Sequence, residues 1–192
     1  MIERYRYAGL RFWARLLLRL QRYDAAIAVF DEMTAMQPKD DYPLASKAYV
    51  LTVMQKKAQA MGLLEQLTGS HPRVGVHWFN LGFMQEELGQ FDLAYSSFKN
   101  ATLNSPEIDR AWYGLGLVSI RLNRLDEAYA ALKQNTKLQP MSPYGWYQLA
   151  RVHVDRQEPD EARKIIRHLK GFEPKVAAQL ERETGISVSP AS

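Results

Sequence analysis

Small, large and proline positions recur along this chain with a step of 34 residues. Pro38, Pro72, Pro106, Pro140 and Pro174 mark the step, and twelve residues before each stands Ala26, Ala60, Ala94, Ala128 or Ala162. Twelve residues further upstream lie Ala14, Ala48, Gly82, Gly116 and Ala150. Eight before each proline comes a large apolar side chain: Phe30, Leu64, Phe98, Leu132 or Ile166. Thr34, Thr68, Thr102 and Thr136 keep the same phase, and no insertion disturbs it. A fixed period of this length is the mark of a stacked repeat. Each unit shows helical apolar spacing on both sides of a short polar break, which predicts two helices of about a dozen residues each.

The break holds Asp24, Asp92, Asp126 or Asp160. A short acidic side chain there is expected to cap the second helix and to favour the positive end of its dipole. Pro159 fits a helix start. The proline closing each unit stops the second helix, because the residue before a proline is pushed out of helical geometry. Glycine or alanine at the small columns lets two backbones approach, while the large columns fill the space between layers. One hairpin cannot bury both faces, so the units are expected to stack.

Composition narrows the chemistry. The 192 residues are 46% apolar, and glycine and proline number only 11 and 9, so the chain has the mass for a core and little low-complexity character. A net charge of +4 is too small a bias to indicate nucleic acid. The absence of cysteine excludes a disulfide framework, a thiolate zinc site and a cysteine nucleophile. Arg11, Arg15 and Arg19 break the apolar stretch of residues 10–20, which suits neither a secretory signal nor a spanning helix, and a cytoplasmic setting is expected.

Trp78, Leu81, Gly82, Gly89, Phe91, Ala94, Phe98, Ala101 and Pro106 closely resemble the tetratricopeptide repeat pattern. So do Trp112, Leu115, Gly116, Ala128 and Pro140, followed by Trp146, Leu149, Ala150, Ala162 and Pro174. Leu10 and Leu44 replace the first tryptophan in the two N-terminal units, and Lys47 stands where leucine is usual. The resemblance covers units 7–40, 41–74, 75–108, 109–142 and 143–176. It implies an all-α, right-handed α-solenoid of five helical hairpins in a single domain, 1–185. A closing helix is expected over 175–184, followed by a flexible tail at 186–192.

Catalytic signals are thin. His71, His77, His153 and His168 form no metal-ligand or base–nucleophile spacing, Gly114-Leu115-Gly116 lacks a third glycine, and the adjacent Glu86 and Glu87 point apart. His153 shares a column with Gln85 and Ser119, expected to be a buried polar strip satisfied by hydrogen bonds. No enzyme activity, metal or cofactor is expected.

The resemblance also implies that the first helices line a concave groove. Its candidate partner-binding residues are Arg11, Arg15, Arg19, Tyr42, Tyr49, Phe79, Phe83, Arg110, Tyr113, Leu117, Tyr144, Tyr147 and Arg151. Phe79, Tyr113 and Tyr147 occupy a position often aromatic for packing, whereas Tyr42, Tyr49, Phe83 and Tyr144 lie off it and favour a ligand role. The lysine–asparagine clamp of chaperone-binding members and the asparagine ladder of the glycosyl-transferase branch are both missing. The expected function is an adaptor, scaffold or chaperone-like module holding an apolar, partly acidic protein segment, with no small-molecule substrate. Two other readings stand beside it: self-assembly as a homo-oligomer through the first helix, and binding of anionic membrane or RNA through Arg4, Arg6, Arg11, Arg15, Arg19 and Arg22. Membrane and nucleic acid are disfavoured because Trp13, Leu17 and Leu20 are expected in the core.

Overall fold

The computed structural model describes residues 2–188. Along them run α1 (Ile2–Arg19), α2 (Tyr23–Met36), α3 (Asp41–Val53), α4 (Lys57–Ser70), α5 (Gly75–Glu87) and α6 (Phe91–Asn104), then α7 (Asp109–Arg121), α8 (Leu125–Leu138), α9 (Pro143–Asp155), α10 (Pro159–Lys170) and α11 (Pro174–Thr184). Consecutive helices pack as hairpins, each hairpin packs on the next, and α11 lies against α9 and α10. The fold is an all-α helical-repeat solenoid.

Each hairpin turns by the same device. Gln21, Gln55, Gly89, Asn123 and Gln157, spaced 34 residues apart, all have positive φ, between 56° and 74°. The following N–H reaches back to a carbonyl five residues earlier: Arg22 to Leu17, Lys56 to Leu51, Gln90 to Gln85, Arg124 to Ser119 and Glu158 to His153, each at 2.8 Å. This is the Schellman closure of a helix end, which requires a left-handed residue and favours glycine. Only Gly89 meets that demand without a side chain. Gln55→Gly should therefore raise stability by about 0.5–1 kcal/mol, and Gly89→Ala should lower it by about 1 kcal/mol. Urea denaturation of the two variants checks the pair.

The chain enters the second helix directly from this turn, and that displaces the expected caps. The residues before α2, α6, α8 and α10 are Arg22, Gln90, Arg124 and Glu158, and none donates or accepts a side-chain cap bond. Asp24, Asp92, Asp126 and Asp160 sit inside the first turn instead, where they act on the helix dipole. Two of them also tie neighbouring hairpins together, through Arg124 to Asp92 at 3.0 Å and Arg156 to Asp126 at 2.8 Å. Between units, the indole N–H of Trp78, Trp112 and Trp146 donates to the carbonyls of Pro72, Pro106 and Pro140, each at 2.8 Å. The tryptophan and proline columns are thus one joint.

The core runs as a string of clusters between layers. Phe98 is buried among Ala94, Leu115, Val118 and Ala131, and a Cβ on Gly82 or Gly114 would stand 3.0 or 2.6 Å from its ring. Those glycines are small because the ring is there. The polar column is also satisfied: the Ser97 hydroxyl donates to Gln85 at 2.7 Å, the Ser119 hydroxyl to the Leu115 carbonyl at 2.7 Å, and His153 Nδ1 meets Glu158 at 2.6 Å.

Two expectations about the ends are corrected. On α1 the core takes Tyr7, Ala14 and Leu17 with Leu10 and Leu18 beside them, while Trp13 and Leu20 are 47% and 59% exposed. Among the described residues no hairpin packs on this side of α1, so side chains that a neighbour covers in later units are open. At the other end, residues 186–188 are not free: Val188 is buried with Ala177 and Leu180, and Ile186 packs beside them. The Val188 N–H donates to Glu181 at 2.6 Å, and Lys170 reaches Glu181 at 2.8 Å. The rest of the expected tail, 189–192, lies outside the described residues.

Candidate functional site

A line of adjoining hollows forms a groove across the first helices of successive hairpins. Its central part consists of two adjoining hollows. One, of ≈ 320 Å³, is lined by Ala45, Tyr49, Thr52, Phe79, Asn80, Phe83 and Arg110. The other, of ≈ 530 Å³, shares Phe79, Phe83 and Arg110 and adds Glu86, Phe91, Tyr113, Leu117 and Arg121. A third hollow of ≈ 440 Å³ continues the line with Tyr113, Tyr144, Tyr147 and Gln148 and ends against Glu173, Val176 and Gln179. The expected residues Tyr49, Phe79, Phe83, Arg110, Tyr113, Leu117, Tyr144 and Tyr147 therefore share one surface.

The rings differ in how free they are. Tyr49, Phe83 and Tyr144 are 64%, 46% and 70% exposed. Phe79 leans on Phe98, with ring centres 6.1 Å apart, and serves core and groove together. Tyr147 is engaged by the closing helix, its hydroxyl donating to Glu183 at 2.5 Å. That bond raises the Tyr147 pKa, with burial acting in the same sense, and lowers that of Glu183, where burial acts in the opposite sense. Burial likewise pushes the Tyr113 hydroxyl up.

Tyr42 does not hold the open position its place off the consensus column suggested. It is half-buried, its ring stands edge-on to Phe30 at 6.3 Å, and the Arg11 guanidinium covers it at 4.0 Å with Arg15 at 6.0 Å. Arg11, Arg15 and Tyr42 form a separate basic end to the groove. Arg19 joins neither group and makes no ring contact or ion pair among the described residues. Arg151 borders a shallow hollow with Val154, Asp155, Glu183 and Thr184.

Arginines pair with rings along the groove. Arg110 lies over Phe79 at 5.5 Å, Arg121 over Phe91 at 5.9 Å and Arg151 over Tyr147 at 5.9 Å, repeating the Arg11–Tyr42 arrangement. None of these guanidiniums takes part in an ion pair among the described residues, whose basic partners are Arg6, Lys47, Lys57, His77, Arg124, His153, Arg156, Arg163, Lys164 and Lys170. Phe91 and Asn80 line the groove although neither is among the partner-binding residues expected from the sequence. Phe91 begins a second helix, where an aromatic belongs to the hairpin joint, and only the neighbouring hairpin brings Arg121 across to it.

Glu86 is half-buried among the rings, and this desolvation raises its pKa, with Arg121 acting in the opposite sense. A folded-state pKa above the unfolded value gives stability that is fullest at low pH and declines as pH rises through the carboxylate range. Glu86→Gln should therefore unfold at a higher temperature than the wild type at pH 7, the gap narrowing on acidification. Thermal scans at several pH values read this directly.

Among the described residues no group of three or more acidic, histidine or cysteine side chains could hold a metal ion. No described helix is long and apolar enough to cross a membrane.

Tetratricopeptide repeat models match residues 85–136 and 143–168. Together with the five-hairpin fold, this makes the chain a member of the tetratricopeptide repeat family. Solved structures that share the fold include the following three. A MamA protein (residues 41 to the end) from Desulfovibrio magneticus RS-1 is 19% identical, with 92% of this chain and 96% of that chain covered and a TM-score of 0.73. YrrB, described as a TPR protein with an unusual peptide-binding site, is 18% identical over 88% of each chain, with a TM-score of 0.75. Pseudomonas aeruginosa pilF is 20% identical over 94% of this chain and 93% of that one, with a TM-score of 0.69. No curated protein sequence matches the chain.

Proposed function

We propose that this protein-interaction module holds an apolar, partly acidic segment of another protein in its concave groove. The supporting observation is the row of arginines set over groove rings and making no ion pair among the described residues. A guanidinium whose face rests on a ring keeps its N–H edge available, and that fork matches a carboxylate. A guanidinium held against a ring also has less side-chain freedom to lose on binding. Tyr49, Phe83 and Tyr144 supply open aromatic area between the arginines, the residue type that most often anchors an interface. YrrB, a structural neighbour described as having a peptide-binding site, offers a parallel for peptide capture on this fold. The module acts as a non-enzymatic adaptor or scaffold in the cytoplasm.

Capture of the native partner by immobilised protein tests the reading. Tyr49→Ala with Phe83→Ala should weaken capture at least tenfold, since central aromatic anchors are worth about 2 kcal/mol or more each. Helical circular dichroism should stay unchanged, because both side chains are exposed. Full-strength capture by the folded double variant would move the site off the concave face.

A further inference from the structure

Helix α1 has three faces. Tyr7, Ala14 and Leu17 enter the core, and Arg11 and Arg15 turn to Tyr42. The third carries Tyr5, Phe12 and Trp13, continued by Leu20 just past the helix end, and these are 73%, 72%, 47% and 59% exposed. At 3.6 residues per turn these four form one strip along the helix, bordered by Arg4 and Arg19 on one side and Arg6 on the other. In α3, α5, α7 and α9 the second helix of the preceding hairpin packs here. Nothing among the described residues covers this face of α1, whereas α11 closes the opposite end of the stack.

We propose that this strip docks on an anionic lipid bilayer, with α1 lying in the headgroup plane. Tryptophan, tyrosine and phenylalanine on one face of a basic helix are the composition of an interfacial segment. Charge decides between occupants. The arginines that border the strip are Arg4, Arg19 and Arg6, and among the described residues only Arg6 is neutralised, by Glu32. A second copy laid on the strip would bring like charges together, while an anionic surface attracts the arginines as the apolar strip inserts. Docking requires no opening of the fold, because Phe12, Trp13 and Leu20 lie outside the core. The groove is a different surface, so its partner and the bilayer need not compete.

Co-sedimentation of the full chain with vesicles tests the proposal. The wild type should pellet with phosphatidylglycerol–phosphatidylcholine vesicles at low salt, at least about tenfold more strongly than with phosphatidylcholine alone. Phe12→Gln with Leu20→Gln, and separately Arg4→Gln with Arg19→Gln, should each weaken pelleting by a similar factor while keeping native circular dichroism. Vesicles should shift tryptophan emission to the blue, and Trp13→Phe should abolish the shift although Trp78, Trp112 and Trp146 remain. The proposal is overturned if the wild type stays in solution with anionic vesicles, or if Phe12→Gln with Leu20→Gln pellets as the wild type does. It is equally overturned if light scattering shows a dimer that the same double variant dissolves, since a second copy would then cover the strip.

Discussion

Replacing Phe98 by alanine should destabilise the protein by about 3–5 kcal/mol, the largest effect expected of a single substitution here. The ring is 1% exposed and fills the junction of α5, α6 and α7. Gly114 approaches it so closely that there is no room for a methyl group, Gly82 leaves only a tight fit, and Phe79 leans on it from the groove side. Removing it leaves a void bounded by rigid helix backbones, which cannot collapse into it cheaply. The converse change, Gly114→Ala, forces a methyl against the ring and should cost about 1–3 kcal/mol. Because the two positions share one space, Phe98→Leu combined with Gly114→Ala should be less damaging than the sum of the single variants. Urea unfolding gives all four values. A loss below about 1 kcal/mol for Phe98→Ala would mean that the centre of the stack is held by something else.

Removing the chain from Lys175 onward should be comparably severe. Ala177, Leu180 and Val188 are buried against Leu149, Val152, Ile165 and Leu169, so truncation turns the last apolar layer of the solenoid to water. Stacked repeats depend on their ends being covered. The Glu183 bond to Tyr147 and the Glu181 pairing with Lys170 are lost as well. The truncated chain should unfold at a lower temperature and aggregate. Leu180→Ala alone, which keeps the helix, should cost about 2–5 kcal/mol. Unchanged thermal unfolding and solubility in both would remove α11 from its closing role.

The repeat was legible because every interior unit meets the same neighbours. A column such as Trp78, Trp112 and Trp146 repeats because the joint to Pro72, Pro106 and Pro140 repeats. Legibility failed where that sameness ends. Trp13 and Leu20 have the helical spacing of core residues, but spacing cannot register that no described helix covers this side of α1. Val188 lies beyond the last period, and its burial follows from the chain folding back on α10 and α11. The aspartates of the turns looked like caps because a left-handed turn residue is not visible in glutamine or asparagine side chains. In the groove, the choice of helices followed from the repeat, whereas the state of each ring did not. Tyr42 and Tyr49 both sit off the consensus aromatic column, yet Arg11 and Phe30 enclose the first and leave the second open.

The most direct measurement is a selection of displayed random peptides against the immobilised full chain, followed by titration of an enriched peptide. Peptides combining apolar or aromatic residues with aspartate or glutamate are expected. Their affinity should fall at least tenfold with Tyr49→Ala and Phe83→Ala, and more modestly, in a salt-sensitive manner, with Arg110→Gln. Enrichment of basic peptides, or of acidic ones that bind the folded double variant as tightly as the wild type, would contradict a groove built for an apolar, partly acidic segment.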